Sequence, residues 1–90
     1  MAIAYIRPLG YQHITSLGSA TGLTVPTGAT MAVITAESQI VRYRDDGTNP
    51  TASVGMTIAA GSSVTYTGAR GAIKFIEATA SAKLNISYYG

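Results

Sequence analysis

The densest chemistry in the sequence is the run Arg42-Tyr43-Arg44-Asp45-Asp46, followed by Gly47-Thr48-Asn49. Side chains alternate along an extended strand, so Arg42 and Arg44 are expected on one face. Asp45 and Asp46 would then neutralise them within the chain. Alternatively, the two guanidiniums reach carboxylates of a neighbouring subunit, where bidentate pairing gives orientation as well as energy. The oxygen-rich Asp45-Asp46-Gly47-Thr48-Asn49 raises calcium as a ligand, but it lacks the EF-hand pattern and its distal bidentate Glu. A turn whose Asp and Asn side chains bond the local backbone is the expected reading. Near the end of the chain, Tyr88 and Tyr89 form an amphipathic pair of a type enriched at interfaces, and one of the two is expected to cap the core. The candidate interface residues are therefore Arg42, Tyr43, Arg44, Asp45, Asp46, Tyr88 and Tyr89.

Catalysis has little to work with. His13 is the single histidine and there is no cysteine, so neither a multi-histidine metal cluster nor a thiolate zinc site can form. Flanked by Gln12 and Ile14, His13 reads as a surface or edge residue. No Gly-x-Ser-x-Gly elbow, phosphate loop or dinucleotide fingerprint is present. Glu37 and Glu77 would make a carboxylate pair only if folding brought them within glycosidase range. We expect no enzymatic activity, no metal and no cofactor.

Composition points the same way. The 90 residues are 47% hydrophobic and only 11% charged, against about 25% charged in ordinary soluble domains. Gly, Ser and Thr make up much of the remainder, giving a neutral hydroxyl-rich surface that is cheap to desolvate against another protein. The pI of about 9.2 reflects a net charge of only +2. The bases Arg7, Arg42, Arg44, Arg70, Lys74 and Lys83 are dispersed, whereas a nucleic-acid footprint needs clustered cations. No stretch approaches the roughly 20 apolar residues that span a bilayer, and the first residues do not form a secretory signal. Neither a nucleic acid nor a membrane is an expected partner.

The elements that must position these residues are strands. Period-2 alternation in short runs, punctuated by Gly, Pro and Ser/Thr clusters, recurs along the chain. Strands are expected over Ala2–Arg7 (stopped by Pro8 and Gly10), Tyr11–Leu17, Leu23–Val25, Thr30–Ala36, Ile40–Arg44, Val54–Ile58, Ser63–Thr67, Ala72–Ala78 and Lys83–Tyr89. Gly18–Gly22 and Gly68–Gly71 read as loops, Pro26-Thr27-Gly28 and Ala59–Ser62 as turns. Asp45–Pro50 is the strongest turn signal. Thr30–Ala36 is nearly apolar on both faces, which predicts a central strand covered on each side. No segment shows a helical stripe. Residues 1–90 are expected to form one all-β domain: a small β-sandwich of jelly-roll or Greek-key type with about eight short antiparallel strands.

From Leu23 onward the sequence resembles small structural proteins of tailed phages and prophages. The residues that carry the resemblance are Leu23-Thr24-Val25-Pro26 with Gly28-Ala29, Val41-Arg42-Tyr43-Arg44-Asp45-Asp46-Gly47-Thr48 with Pro50-Thr51-Ala52, Val54-Gly55-Met56, Ile73-Lys74-Phe75-Ile76 and Ala82–Tyr89. Arg-x-Arg-Asp-Asp-Gly is the specific part, and Tyr43 stands where the family often has Trp. The resemblance implies a virion component made in the host cytoplasm. Its first form is a capsid decoration or cement subunit, homo-oligomeric, bound to the major capsid protein or another virion protein. A head–tail or tail accessory protein is the second form. A small carbohydrate-binding module, with stacking platforms among Tyr5, Tyr11, Tyr43, Tyr66, Tyr88 and Tyr89, is the third reading.

Overall fold

The computed structural model of the chain describes residues 7–68 and 71–90. These residues form eight strands: β1 (Pro8–Ile14), β2 (Thr21–Gly22), β3 (Met31–Glu37), β4 (Val41–Arg44), β5 (Met56–Ile58), β6 (Ser63–Tyr66), β7 (Lys74–Glu77) and β8 (Lys83–Tyr89). Among the described residues there is no helix. The strands form two four-stranded sheets, ordered β1-β8-β3-β6 and β2-β7-β4-β5, with every pairing antiparallel.

This order has a simple origin. If the chain is folded back on itself between β4 and β5, each strand meets its counterpart from the other end: β4 with β5, β3 with β6, β2 with β7, β1 with β8. Rolling that double ribbon adds the contacts β3–β8 and β4–β7. The result is a jelly roll.

Alternation supplies the core that the roll encloses. Ala32, Ile34 and Ala36 of β3 point inward with Leu84, Ile86 and Tyr88 of β8 and Ile14 of β1. Val41, Ile58, Ile73 and Phe75 come from the second sheet and its margin, while Leu17 and Ala82 enter from connections. At roughly 25 cal/mol per Å² of apolar area removed from water, this one cluster is the main stabilising term.

Several expected boundaries shift. The proposed Ala2–Arg7 strand falls outside the described residues except for Arg7, which exchanges backbone hydrogen bonds with Gly90 (2.9 and 3.0 Å). Pro8 and Gly10 do not stop a strand but lie within β1, where a register shift between them absorbs the irregularity. Pro8 is tolerated because it begins an edge strand and need not donate. The same strand ends at Ile14, short of Leu17. Leu17 is nevertheless fully buried, and its carbonyl accepts from Glu77 N (2.9 Å).

Thr21-Gly22, read as loop, pairs with Phe75 and Lys74 as β2, while Leu23–Val25 is irregular. The reason is a substituted partner: Thr24 N donates to the Gln12 side chain (3.1 Å) instead of a ladder carbonyl. Leu23 and Val25 still pack against the core. β3 is central, as expected, but covered on one side only, since Met31, Val33 and Thr35 remain half-buried on the outer face. At the start of β5, Val54 and Gly55 belong to the connection rather than the strand.

Candidate interaction surfaces

Residues 42–46 occupy the end of β4 and the start of the long connection 45–55. The two arginines do share a face, yet their partners differ. Arg42 reaches across to the connection, donating from Nε to Ala52 O (3.1 Å) and from Nη1 to Gly55 O (2.9 Å). Gly55 permits the close approach. It has φ +146°, and a Cβ there would meet Tyr43 O at 3.1 Å and Arg42 Cβ at 3.2 Å. Arg44 instead forms a two-pronged ion pair with Asp46, Nε to Oδ1 (3.0 Å) and Nη2 to Oδ2. That hydrogen bonding raises the guanidinium pKa and holds the Asp46 carboxyl below its ordinary range.

Asp45 faces elsewhere. Its Oδ2 accepts from Tyr66 Oη (2.7 Å), tying the edge strand of the first sheet to the connection leaving the second. Tyr43 points inward and packs its ring against Phe75, centroids 5.9 Å apart and tilted by 46°. Within the connection, Thr51 and Val54 exchange backbone hydrogen bonds (2.9 and 3.2 Å). Thr51 Oγ1 also accepts from Val54 N (3.0 Å) and Ser53 N (3.3 Å). The loop is therefore a built object rather than a tether. Beside it lies an open depression of about 280 Å³ lined by Arg44, Asp45, Asp46, Val54, Gly55 and Met56. Val54 and Met56 stand out at 53% and 63% exposed.

The two C-terminal tyrosines separate. Tyr88 is 1% exposed and donates its hydroxyl to Gln12 Oε1 (2.7 Å); burial raises its pKa. It is the core-capping member of the pair and offers a partner nothing. Tyr89 turns outward, half-buried, and its hydroxyl accepts from Ser87 Oγ (3.1 Å). Ala32 pairs with both Tyr66 and Tyr88, so Asp45 is anchored at the same end of the sandwich as Tyr88. The seven candidate residues thus gather at one end without sharing a surface.

A second surface escaped sequence reasoning. The outer face of the first sheet carries Tyr11, His13, Thr35, Glu37, Ser63, Asn85 and Ser87 in register rows. Tyr11 Oη donates to Asn85 Oδ1, and Asn85 Nδ2 donates to Glu37 Oε1 (2.7 Å). His13 Nε2 lies 3.8 Å from the same Glu37 oxygen, and the Thr35 and Ser63 hydroxyls are 2.6 Å apart. Alternation marks each as outward, but only the register shows that they meet. Of the stacking candidates, Tyr5 lies outside the described residues. Tyr11 is the most exposed of those described, at 64%.

Among the described residues, no three His, Asp or Glu side chains converge as a metal site would require. Glu37 and Glu77 lie in different sheets. No protein-family model, curated protein or solved structure matches this chain.

Proposed function

We propose that this chain is a non-enzymatic structural protein of a tailed-phage particle, acting as a decoration subunit that binds and stabilises the assembled head. The observation that carries this reading is the clamped 45–55 connection. It carries the exposed Val54 and leads into Met56, the exposed first residue of β5, beside an ion pair that is already formed. Association costs side-chain and loop ordering, about 0.5–1.5 kcal/mol for each immobilised long side chain, and a contact locked in advance avoids much of that cost. Arg-x-Arg-Asp-Asp-Gly, the specific part of the resemblance to phage structural proteins, runs from β4 into this connection. A compact jelly roll with a neutral, hydroxyl-rich face suits repeated symmetric contacts with the major capsid protein and with copies of itself. The site of action is then the virion, reached after synthesis in the host cytoplasm.

Two measurements test the reading. Quantitative mass spectrometry of purified particles should find copies in the hundreds, whereas about six or twelve would mean a ring at the head–tail joint or tail. Val54→Asp with Met56→Asp should fold normally, because both side chains are exposed, yet fail to bind heads that lack the protein. Absence of the protein from purified particles, or wild-type binding by the double variant, would sink the proposal.

A further inference from the structure

We propose that the outer face of β1, β8 and β3 is a binding site for a neutral pyranose sugar, with Tyr11 as the stacking platform and Asn85 and Glu37 as the hydrogen-bonding groups. This site is on the other sheet from the proposed head contact and does not depend on it.

The position of the Tyr11 ring is the first argument. Its Cα lies opposite Ser87, while its hydroxyl is pinned to Asn85, two residues along β8. A ring tied across to the neighbouring strand reclines along the sheet instead of standing away from it. At 64% exposed, the residue leaves much of its ring area to solvent. An immobilised aromatic face next to polar side chains matches a pyranose, which has a C–H face and a rim of hydroxyls.

Hydrogen-bonding capacity is the second argument. Asn85 gives its carbonyl to Tyr11 and one N–H to Glu37, so its second N–H remains a donor. Glu37 engages its neighbours through Oε1, which leaves Oε2 as an acceptor. A donor and an acceptor held side by side are what a vicinal diol needs. The row continues His13–Asn85–Thr35–Ser63 across all four strands, about 14 Å at the usual strand spacing. That length accommodates more than one sugar ring, with the Thr35 and Ser63 hydroxyls at its far end.

Charge selects the class. The carboxylate at the centre of the network disfavours phosphate, sulfate or an acidic sugar. Lys83 stands opposite Glu37 in the β3–β8 register, so an anion that reached it would also meet that carboxylate. The ligand is therefore an uncharged saccharide.

The test is a titration of isotope-labelled protein followed by two-dimensional NMR, with cellobiose, lactose and diacetylchitobiose as neutral probes and N-acetylneuraminic acid as the acidic one. Saturable shifts at millimolar sugar, confined to Tyr11, His13, Glu37 and Asn85 and their strand neighbours, are expected with at least one neutral probe. Tyr11→Ala should weaken that binding about tenfold. Its unfolding midpoint should stay near the wild-type value, because the ring is largely exposed. The site is refuted by the absence of saturable shifts with all three neutral probes, by shifts that map elsewhere, by Tyr11→Ala binding unchanged, or by N-acetylneuraminic acid binding as tightly as the neutral sugars.

Discussion

Across β3 and β8, seven consecutive residues pair without a shift, Met31 to Glu37 against Tyr89 to Lys83. Among the described residues of the other sheet, no ladder is longer than the four pairs between β4 and β7. The first sheet can hold itself together through its backbone, since a long ladder satisfies donors and acceptors in one cooperative run. The second is too short for that and is held from outside its ladders. Arg42 fastens the 45–55 connection, Asp45 takes the Tyr66 hydroxyl from the opposite sheet, and Tyr43 rests on Phe75. Polar side chains on the two outer faces should therefore matter very unequally. On the first sheet they decorate; on the second they build.

The largest expected effect tests that inequality directly. Arg42→Ala removes two charge-assisted hydrogen bonds to backbone carbonyls in a half-buried setting, which should cost about 2–4 kcal/mol. For a domain of this size the midpoint would fall by about 10–20 °C. Arg42→Lys should recover little, because one ammonium cannot span two carbonyls as the guanidinium fork does. Asn85→Ala, in the exposed network of the first sheet, should cost no more than about 1 kcal/mol. Thermal melts of the three variants decide the matter. Equal losses from Arg42→Ala and Asn85→Ala would break the comparison.

The same inequality governs what could be read from sequence. β8 was legible to the residue, Lys83 to Tyr89, because Leu84, Ile86 and Tyr88 alternate with polar neighbours and nothing interrupts them. The strand expected over Ala72–Ala78 is present but shorter, Lys74 to Glu77. β2 was not legible, because two residues carry no period and the segment pairs only because β7 lies beside it. Leu23–Val25 had the better local pattern, yet Gln12 took the hydrogen bond that a strand would have used. The Arg42–Asp46 run was visible as a charge cluster. Its division of labour was not, since the carbonyls of Ala52 and Gly55 are invisible in a pattern of side chains. The Tyr11–Asn85–Glu37 network was hidden for a related reason: it spans residues 11, 37 and 85, which only the rolled topology makes neighbours.

A middle-sized effect sharpens the comparison from the side of the first sheet. Tyr88 is the polar group that this sheet does bury, and Tyr88→Phe should cost about 1 kcal/mol by deleting its bond to Gln12. Burial raises the Tyr88 pKa in the folded state. Its contribution is thus complete below the ordinary tyrosine value of about 10 and is lost as pH rises through the higher folded value. Urea unfolding at pH 7 and at about pH 11 should show the wild-type advantage over Tyr88→Phe shrinking at the alkaline end. An advantage that stayed constant or grew would mean that the hydroxyl ionises at least as easily in the folded protein as in the unfolded chain.

The smallest effect belongs to the rim of the second sheet, where a charge pair is formed but not buried. The Arg44 hydrogen bond is the largest cause that lowers the Asp46 pKa, and the Thr48 amide adds to it against a smaller opposing cost of desolvation. A lowered folded value means that the carboxylate contributes stability above its ordinary value near 3.8, and that this is lost as pH falls through the folded value. Asp46→Asn removes the charge while keeping an oxygen for Thr48 N, which lies 3.4 Å from Asp46 Oδ1. Wild type should therefore melt slightly above Asp46→Asn at pH 7, and the difference should shrink as pH falls below the ordinary carboxylate value. High salt at pH 7 should shrink it as well, because exposed pairs are screened. If the difference survived both acid and salt, the ion pair would not be its cause. The rim would then be held by the shape of the Asp46–Thr48 turn, and charge would have no part in building the second sheet beyond Arg42.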